Sequence, residues 1–164
     1  MSETLVITKA KAIQAYFNAS DETKKLLANL FGEEILSQKI TDRIKTFEDA
    51  CTIQNKKVDD VIPFKIPFTT QDQTACNLLV QLRMINSALC EDWQADYADD
   101  DQKKWRPWFK WDASSSCFRF SFSGYDYTAA HAGSGVRLVF PTKELSDYFG
   151  TQFEKLNSDY LITQ

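Results

Sequence analysis

The sequence predicts an α+β domain: a helical N-terminal half with a long central helix, then an antiparallel β-hairpin or small sheet over about residues 117–140, covered by a C-terminal helix. Three observations carry that prediction. Phe118, Phe120 and Phe122 alternate with Arg119 and Ser121, which in an extended chain puts the three rings on one face. Between about 71 and 93 apolar residues recur at helical spacing, and after Pro141 they do so again through Leu145, Tyr148, Phe149, Phe153, Leu156 and Tyr160. With 164 residues, of which 43% are hydrophobic, the chain has the size and composition of one globular domain able to bury a core without staples.

The N-terminal elements announce themselves by their caps. Leu5, Val6 and Ile7 read as a short extended segment, after which Thr8 caps a helix with Ile13, Tyr16 and Phe17 inside. Ser20 caps the next, with Asp21 and Glu22 in its first turn, where they offset the positive end of the helix dipole. Its inner residues are Leu26, Leu27, Leu30 and Phe31, and Gly32 ends it. Thr41 opens a third helix with Ile44, Phe47 and Cys51 on its inner face. Helices this short are marginal alone, so tertiary packing must hold them.

From Asn55 to Thr70, Asp59, Asp60, Pro63 and Pro67 interrupt any periodicity, and Phe64, Ile66 and Phe68 pin an irregular connector to the core. A soft boundary belongs at 55–70 if anywhere. Neither side has a complete core of its own, so a single domain over 1–164 is the expected arrangement. Thr70 and Gln73 form a capping box for the central helix. Ala75, Leu78, Leu79, Leu82, Ile85, Leu89 and Trp93 fall on one stripe, with Val80, Met84 and Ala88 nearly opposite, as in a helix buried between layers. Asn86, inside the stripe, needs hydrogen-bond partners and is expected to tie down a neighbouring loop.

In the hairpin, Cys117, Arg119, Ser121 and Ser123 oppose the phenylalanines, and Val136, Leu138 and Phe140 supply the second strand. Gly124 to Ser134 is then a long connecting loop, with Tyr125 and Tyr127 prolonging the first strand past a bulge at Gly124. A buried Phe contributes roughly 2–3 kcal/mol, so three on one face are expected to be core.

Signals for chemistry are sparse. Cys51, Cys76, Cys90 and Cys117 show no metal or redox spacing. Asp96, Asp99, Asp100 and Asp101 offer oxygen ligands without the glycine and terminal glutamate of a calcium loop. His131 is the only histidine, Ser134 has Ala132 and Val136 where a nucleophile elbow needs glycine, and Gly133 and Gly135 precede neither a lysine nor a helix start. No catalytic residue, cofactor or metal is assigned, and a non-enzymatic protein is expected. The first twenty residues lack a basic segment followed by an apolar one, and no apolar run is long enough to span a bilayer, which points to the cytoplasm and away from membranes.

What remains is the segment before the hairpin. Lys103, Lys104, Arg106 and Lys110 interleave there with Trp105, Trp108, Phe109 and Trp111. Trp93, Trp105, Trp108 and Trp111, with Lys103, Lys104 and Arg106, make a candidate protein-binding surface, since Trp and Arg dominate interface hot spots. The same mixture could stack bases and neutralise phosphates of a single strand. Five Asp between 92 and 101 and a net charge of −4, with neither half basic, weigh against that alternative.

Several segments together carry a likeness: TKKLLANLFGEE at 23–34, ITDRIKTFEDAC at 40–51, ALCEDWQADY at 88–97, RPWFKW at 106–111 and SGVRLVFPTKELSDYFGTQF at 134–153. They resemble a family of uncharacterised proteins encoded by gut Bacteroidetes genomes, often within prophages, and by tailed phages of the crAss-like kind. The resemblance implies a phage or mobile-element origin and expression in a bacterial cytoplasm, and the function expected of such a protein is binding a host or phage protein. It brings no catalytic residues with it. The family's Tyr-rich stretch before Pro107 reads KKWRPWF here.

Overall fold

The computed structural model describes residues 12–13, 15–16, 19–36, 38–65, 70–129 and 137–163. The expected segment at Leu5–Ile7, the Thr8 cap, Phe17, Ile66, Phe68 and the loop carrying His131, Ser134 and Val136 lie outside the described residues. The chain divides into two compact units, Met1–Arg43 and Ile44–Gln164. The division falls ahead of the connector 55–70, which belongs to the second unit.

In the first unit, Ala12, Ile13, Ala15 and Tyr16 are helical and are followed by α1 (Asp21–Phe31), α2 (Glu33–Leu36) and α3 (Ile40–Arg43). Ser20 caps α1 by accepting from the Thr23 N–H, and Gly32 ends it at φ 84°, a conformation that a Cβ would strain. Ala12, Ile13 and Leu36 form the core, with Tyr16, Leu27 and Phe31 packed on it. The expected inner face of α1 is therefore narrower than four residues. Leu26 and Leu30, one turn apart, are exposed.

The helix predicted from Thr41 is interrupted: its first turn is α3, at the end of the first unit, and the second unit opens a new helix at Thr46. The Thr46 hydroxyl accepts from the Asp49 N–H while Asp49 Oδ2 accepts from the N–H groups of Lys45 and Thr46, and this box opens α4 (Phe47–Ile53). The connector contains a single turn, α5 (Val58–Val61). Its exit is held by Asn77, whose amide donates to the Phe64 carbonyl at 2.7 Å and accepts from the Phe64 N–H at 3.1 Å. The central helix α6 (Gln71–Cys90) begins at the Thr70–Gln73 box and stops at Glu91, which takes φ 51°. Trp93 therefore lies beyond the helix rather than on its stripe. α6 packs against α4 on one side and the C-terminal helices on the other, which explains its two apolar faces. Asn86 ties down the chain as expected, donating to the Val139 carbonyl at 2.9 Å.

The hairpin is real, but its partner strand is a correction. β1 (Lys104–Asp112) pairs antiparallel with β2 (Cys117–Asp126), and among the described residues of the expected second strand Phe140 alone pairs, in a single antiparallel bridge with Trp105. The tryptophan segment is thus a strand. Its turn is built by Asp112, whose carboxylate accepts from the Ser114 N–H and from the hydroxyls of Ser114 and Ser115. Those bonds hold the Asp112 carboxyl at about 2.

A second correction concerns the phenylalanine face. The register slips between Trp108 and Phe109, which pair with Phe122 and Phe120, so Ser121 is the extra residue of a bulge. The bulge lies at Ser121, not Gly124, and it reverses the parity of everything after it. Phe118 and Phe120 stay on the inner face, toward the C-terminal helices. Phe122 turns to the outer face and is 49% exposed, while Ser123 takes its place inside, buried and bonded to Ser146 at 2.8 Å.

The predicted C-terminal helix covers the hairpin in two pieces, α7 (Lys143–Gln152), capped by Thr142, and α8 (Glu154–Ile162). Phe149 is fully buried against Phe140 and Phe153, with ring centroids 4.9 and 5.8 Å away. The break at Phe153 aims α8 at the free edge of β2, where the Phe118 N–H donates to Ser158 Oγ and the Phe120 N–H to Glu154 Oε2. Side chains thus satisfy an edge that would otherwise invite pairing. Glu154 also receives Arg119 at 2.6 Å, and this bond, before the Phe120 N–H, holds its carboxyl below the ordinary range. Its contribution is therefore fully present above the unfolded carboxylate pKa and lost as pH falls through the lower folded one. Wild type is expected to be more stable than Glu154→Gln at neutral pH, with the gap closing below about pH 4.5. Urea titrations at several pH values measure that gap.

Candidate functional site

The outer face of the hairpin presents an aromatic pair where a strand surface usually presents polar side chains. Cross-strand pairing sets Trp108 opposite Phe122, their rings stacked at 5.8 Å and 8°, with exposures of 40% and 49%. Gly124 makes the arrangement possible. A Cβ there would come within 3.0 Å of Trp108 Nε1, so the indole lies over bare backbone. Arg106 lies 5.7 Å from the Trp108 ring and forms an ion pair with Asp126. Lys110 is exposed on the same face and makes no ion pair among the described residues.

The other residues singled out from the sequence are spread around this pair. Trp105 is partly buried, its ring 4.6 Å from Tyr125 and its backbone bonded to Phe140. Trp111 shares the inner-face parity of Phe118, whose ring it meets edge-on at 5.4 Å, but it overhangs the tip and is 53% exposed. Lys103 sits over the Tyr125 ring at 4.7 Å. Lys104 is only 1% exposed: its ammonium donates to the Asp99 carbonyl at 2.8 Å and lies 5.4 Å from the Tyr97 ring. Lys104 is therefore an interior anchor for the loop before β1, not a surface cation. Trp93 is half-buried in a separate polar hollow of about 230 Å³, lined also by Arg83, Asn86 and Arg137. The residue that sequence reasoning missed is Phe122. Its signal was the Ser121 bulge, which depends on cross-strand pairing and has no local sequence mark.

The acidic run forms a turn, and two of the four cysteines, Cys51 and Cys90, are buried. Asp99, Asp100 and Asp101 bring carboxylate oxygens within 4.8 Å of one another on the exposed loop. Asp99 Oδ1 accepts from the N–H groups of Asp101 and Gln102 and Asp96 Oδ1 from that of Ala98, so these carboxylates build the turn. Burial pushes the Cys90 thiol up to about 12, and it also raises Cys51, the reverse of what a nucleophile needs. No helix among the described residues is long and apolar enough to cross a membrane. Comparisons with family models, curated proteins and solved structures find no match to this chain.

Proposed function

We propose that this chain is a non-enzymatic protein-interaction module that contacts its partner through the outer face of the hairpin, with Trp108 and Phe122 as the central anchors. The observation that carries the reading is the stacked, half-exposed pair itself. Two large rings left out of the core, propped on Gly124 and bordered by an arginine, have the make-up of an interface hot spot. The likeness to phage and prophage proteins makes a bacterial host or phage protein the expected partner and a bacterial cytoplasm the expected setting.

The competing single-strand nucleic-acid reading needs free cations around the rings. Of the four cations in the segment, Lys104 is internal, Arg106 is paired with Asp126 and Lys103 lies over Tyr125 on the other face, which leaves Lys110 alone beside the rings. A phosphate backbone would meet little uncompensated positive charge here.

A photo-crosslinking amino acid at position 122 is expected to capture one defined partner in cells, whereas the same group at Glu144 is expected to capture none. With that partner purified, Trp108→Ala is expected to weaken binding by about 30-fold or more, the 2 kcal/mol typical of a hot spot. Binding unchanged by Trp108→Ala and Phe122→Ala would remove the reading. Quenching of Trp fluorescence by single-stranded oligonucleotides that collapses between low and moderate salt would replace it with the nucleic-acid one.

A further inference from the structure

The mode of contact follows from the other edge of the hairpin. Along β1, Trp105 directs its N–H and C=O outward and bonds both to Phe140, at 2.9 and 2.7 Å. Period two gives Pro107, Phe109 and Trp111 the same outward direction. Among the described residues no chain pairs with this edge beyond the Trp105–Phe140 rung. Pro107 has no N–H to offer, but the amides of Phe109 and Trp111 and the carbonyls of all three residues point outward. The β2 edge is treated differently, since Glu154 and Ser158 cap it. A groove of about 230 Å³ runs beside the β1 edge, walled by Pro107, Phe109, Phe118, Leu138, Tyr160 and Leu161.

We propose that β1 accepts an extended segment of a partner protein as a third strand, continuing the ladder that Phe140 begins. This rests on reading the hairpin as a protein-interaction surface, and it specifies the partner's chemistry. Backbone groups in a row are matched only by another extended backbone. Alternate side chains of the added strand would enter the apolar groove, so they are apolar and of valine or leucine size. The side chains between them would point to the outer face beside Lys110, which makes no ion pair among the described residues, whereas Arg106 and Arg119 are paired. The fitting segment therefore alternates apolar and polar residues, with an acidic residue among the polar ones.

The test uses the full chain and a synthetic peptide of about nine residues, acetylated and amidated, alternating threonine and valine with glutamate at its centre. Amide exchange is followed by NMR. At peptide ten times above its Kd, exchange at Phe109 and Trp111 is expected to slow about tenfold. A copy N-methylated at its central residue is expected to give no slowing. Lys110→Glu is expected to weaken binding roughly threefold, with recovery when the peptide's glutamate becomes lysine. Unchanged exchange at Phe109 and Trp111, while the Trp108 and Phe122 resonances still shift, overturns strand addition and leaves the outer face as the contact. No change at either place overturns both. Exchange already slow in the dilute free protein means the edge is occupied within the chain, and slowing on concentration of the protein alone means a second copy adds to it. Either result overturns the proposal.

Discussion

Replacing Phe149 with alanine is expected to cost the second unit about 3–5 kcal/mol, the range for deleting a fully buried aromatic ring. The position justifies the upper part of that range. Phe149 has no exposed surface and lies between Phe140, which bridges to Trp105 of β1, and Phe153, the joint between α7 and α8. Its removal opens a cavity where strand bridge and helix joint meet, and neither can close in without breaking its own hydrogen bonds. Urea denaturation followed by Trp fluorescence would register the loss as a lower midpoint at unchanged slope. A loss under about 1 kcal/mol would mean that this contact is not what joins helices to hairpin.

Gly150→Ala, one residue on, is expected to destabilise although it replaces a glycine inside a helix. Helix propensity alone would favour the change by about 1 kcal/mol. Against that, the new Cβ would meet the Phe120 ring at 2.2 Å for Cδ2 and 2.5 Å for Cε2, well inside contact distance. Overpacking of a filled interface costs about 1–3 kcal/mol, and a gap this short belongs at the top of the range, so a net loss of about 2 kcal/mol is expected. Phe120→Leu in the same chain is expected to recover much of it, because the two sites couple only through the clash. A fully additive double variant would show that Gly150 matters for another reason.

Much of the fold class could be read in the sequence because its helix starts depend on local chemistry. Ser20, the Thr70–Gln73 box and Thr142 each satisfy backbone groups within their own turn, and each caps the helix expected of it. Thr46 and Asp49 carried the same kind of signal for the helix that was placed at Thr41. The hairpin partner was harder. Pro107 argues against a strand, yet it is accommodated because its missing N–H faces away from β2. The turn that joins the two aromatic runs is built by Asp112, Ser114 and Ser115, a short polar stretch without glycine or proline.

Other features are tertiary and left no local mark. Phe153 carries neither glycine nor proline to end a helix, and the break pays off only across space, where Glu154 and Ser158 reach the β2 edge. The Ser121 bulge sits inside an unbroken Phe-x-Phe-x-Phe alternation, so period two extended the core one residue too far. The candidate site was legible in Trp108 and Arg106. It was not in Phe122, nor in Lys104, whose burial depends on where the Asp99 carbonyl comes to lie.

The account divides the hairpin's rings into those that hold the fold and a pair kept for contact, and the unfolding free energy of the double variant Trp108→Ala, Phe122→Ala tests that division most directly. Half-exposed rings stacked on each other should cost no more than about 2 kcal/mol together, leaving a folded protein with native amide protection in α7 and α8. A loss as large as that of Phe149→Ala would place the pair in the core and contradict the account.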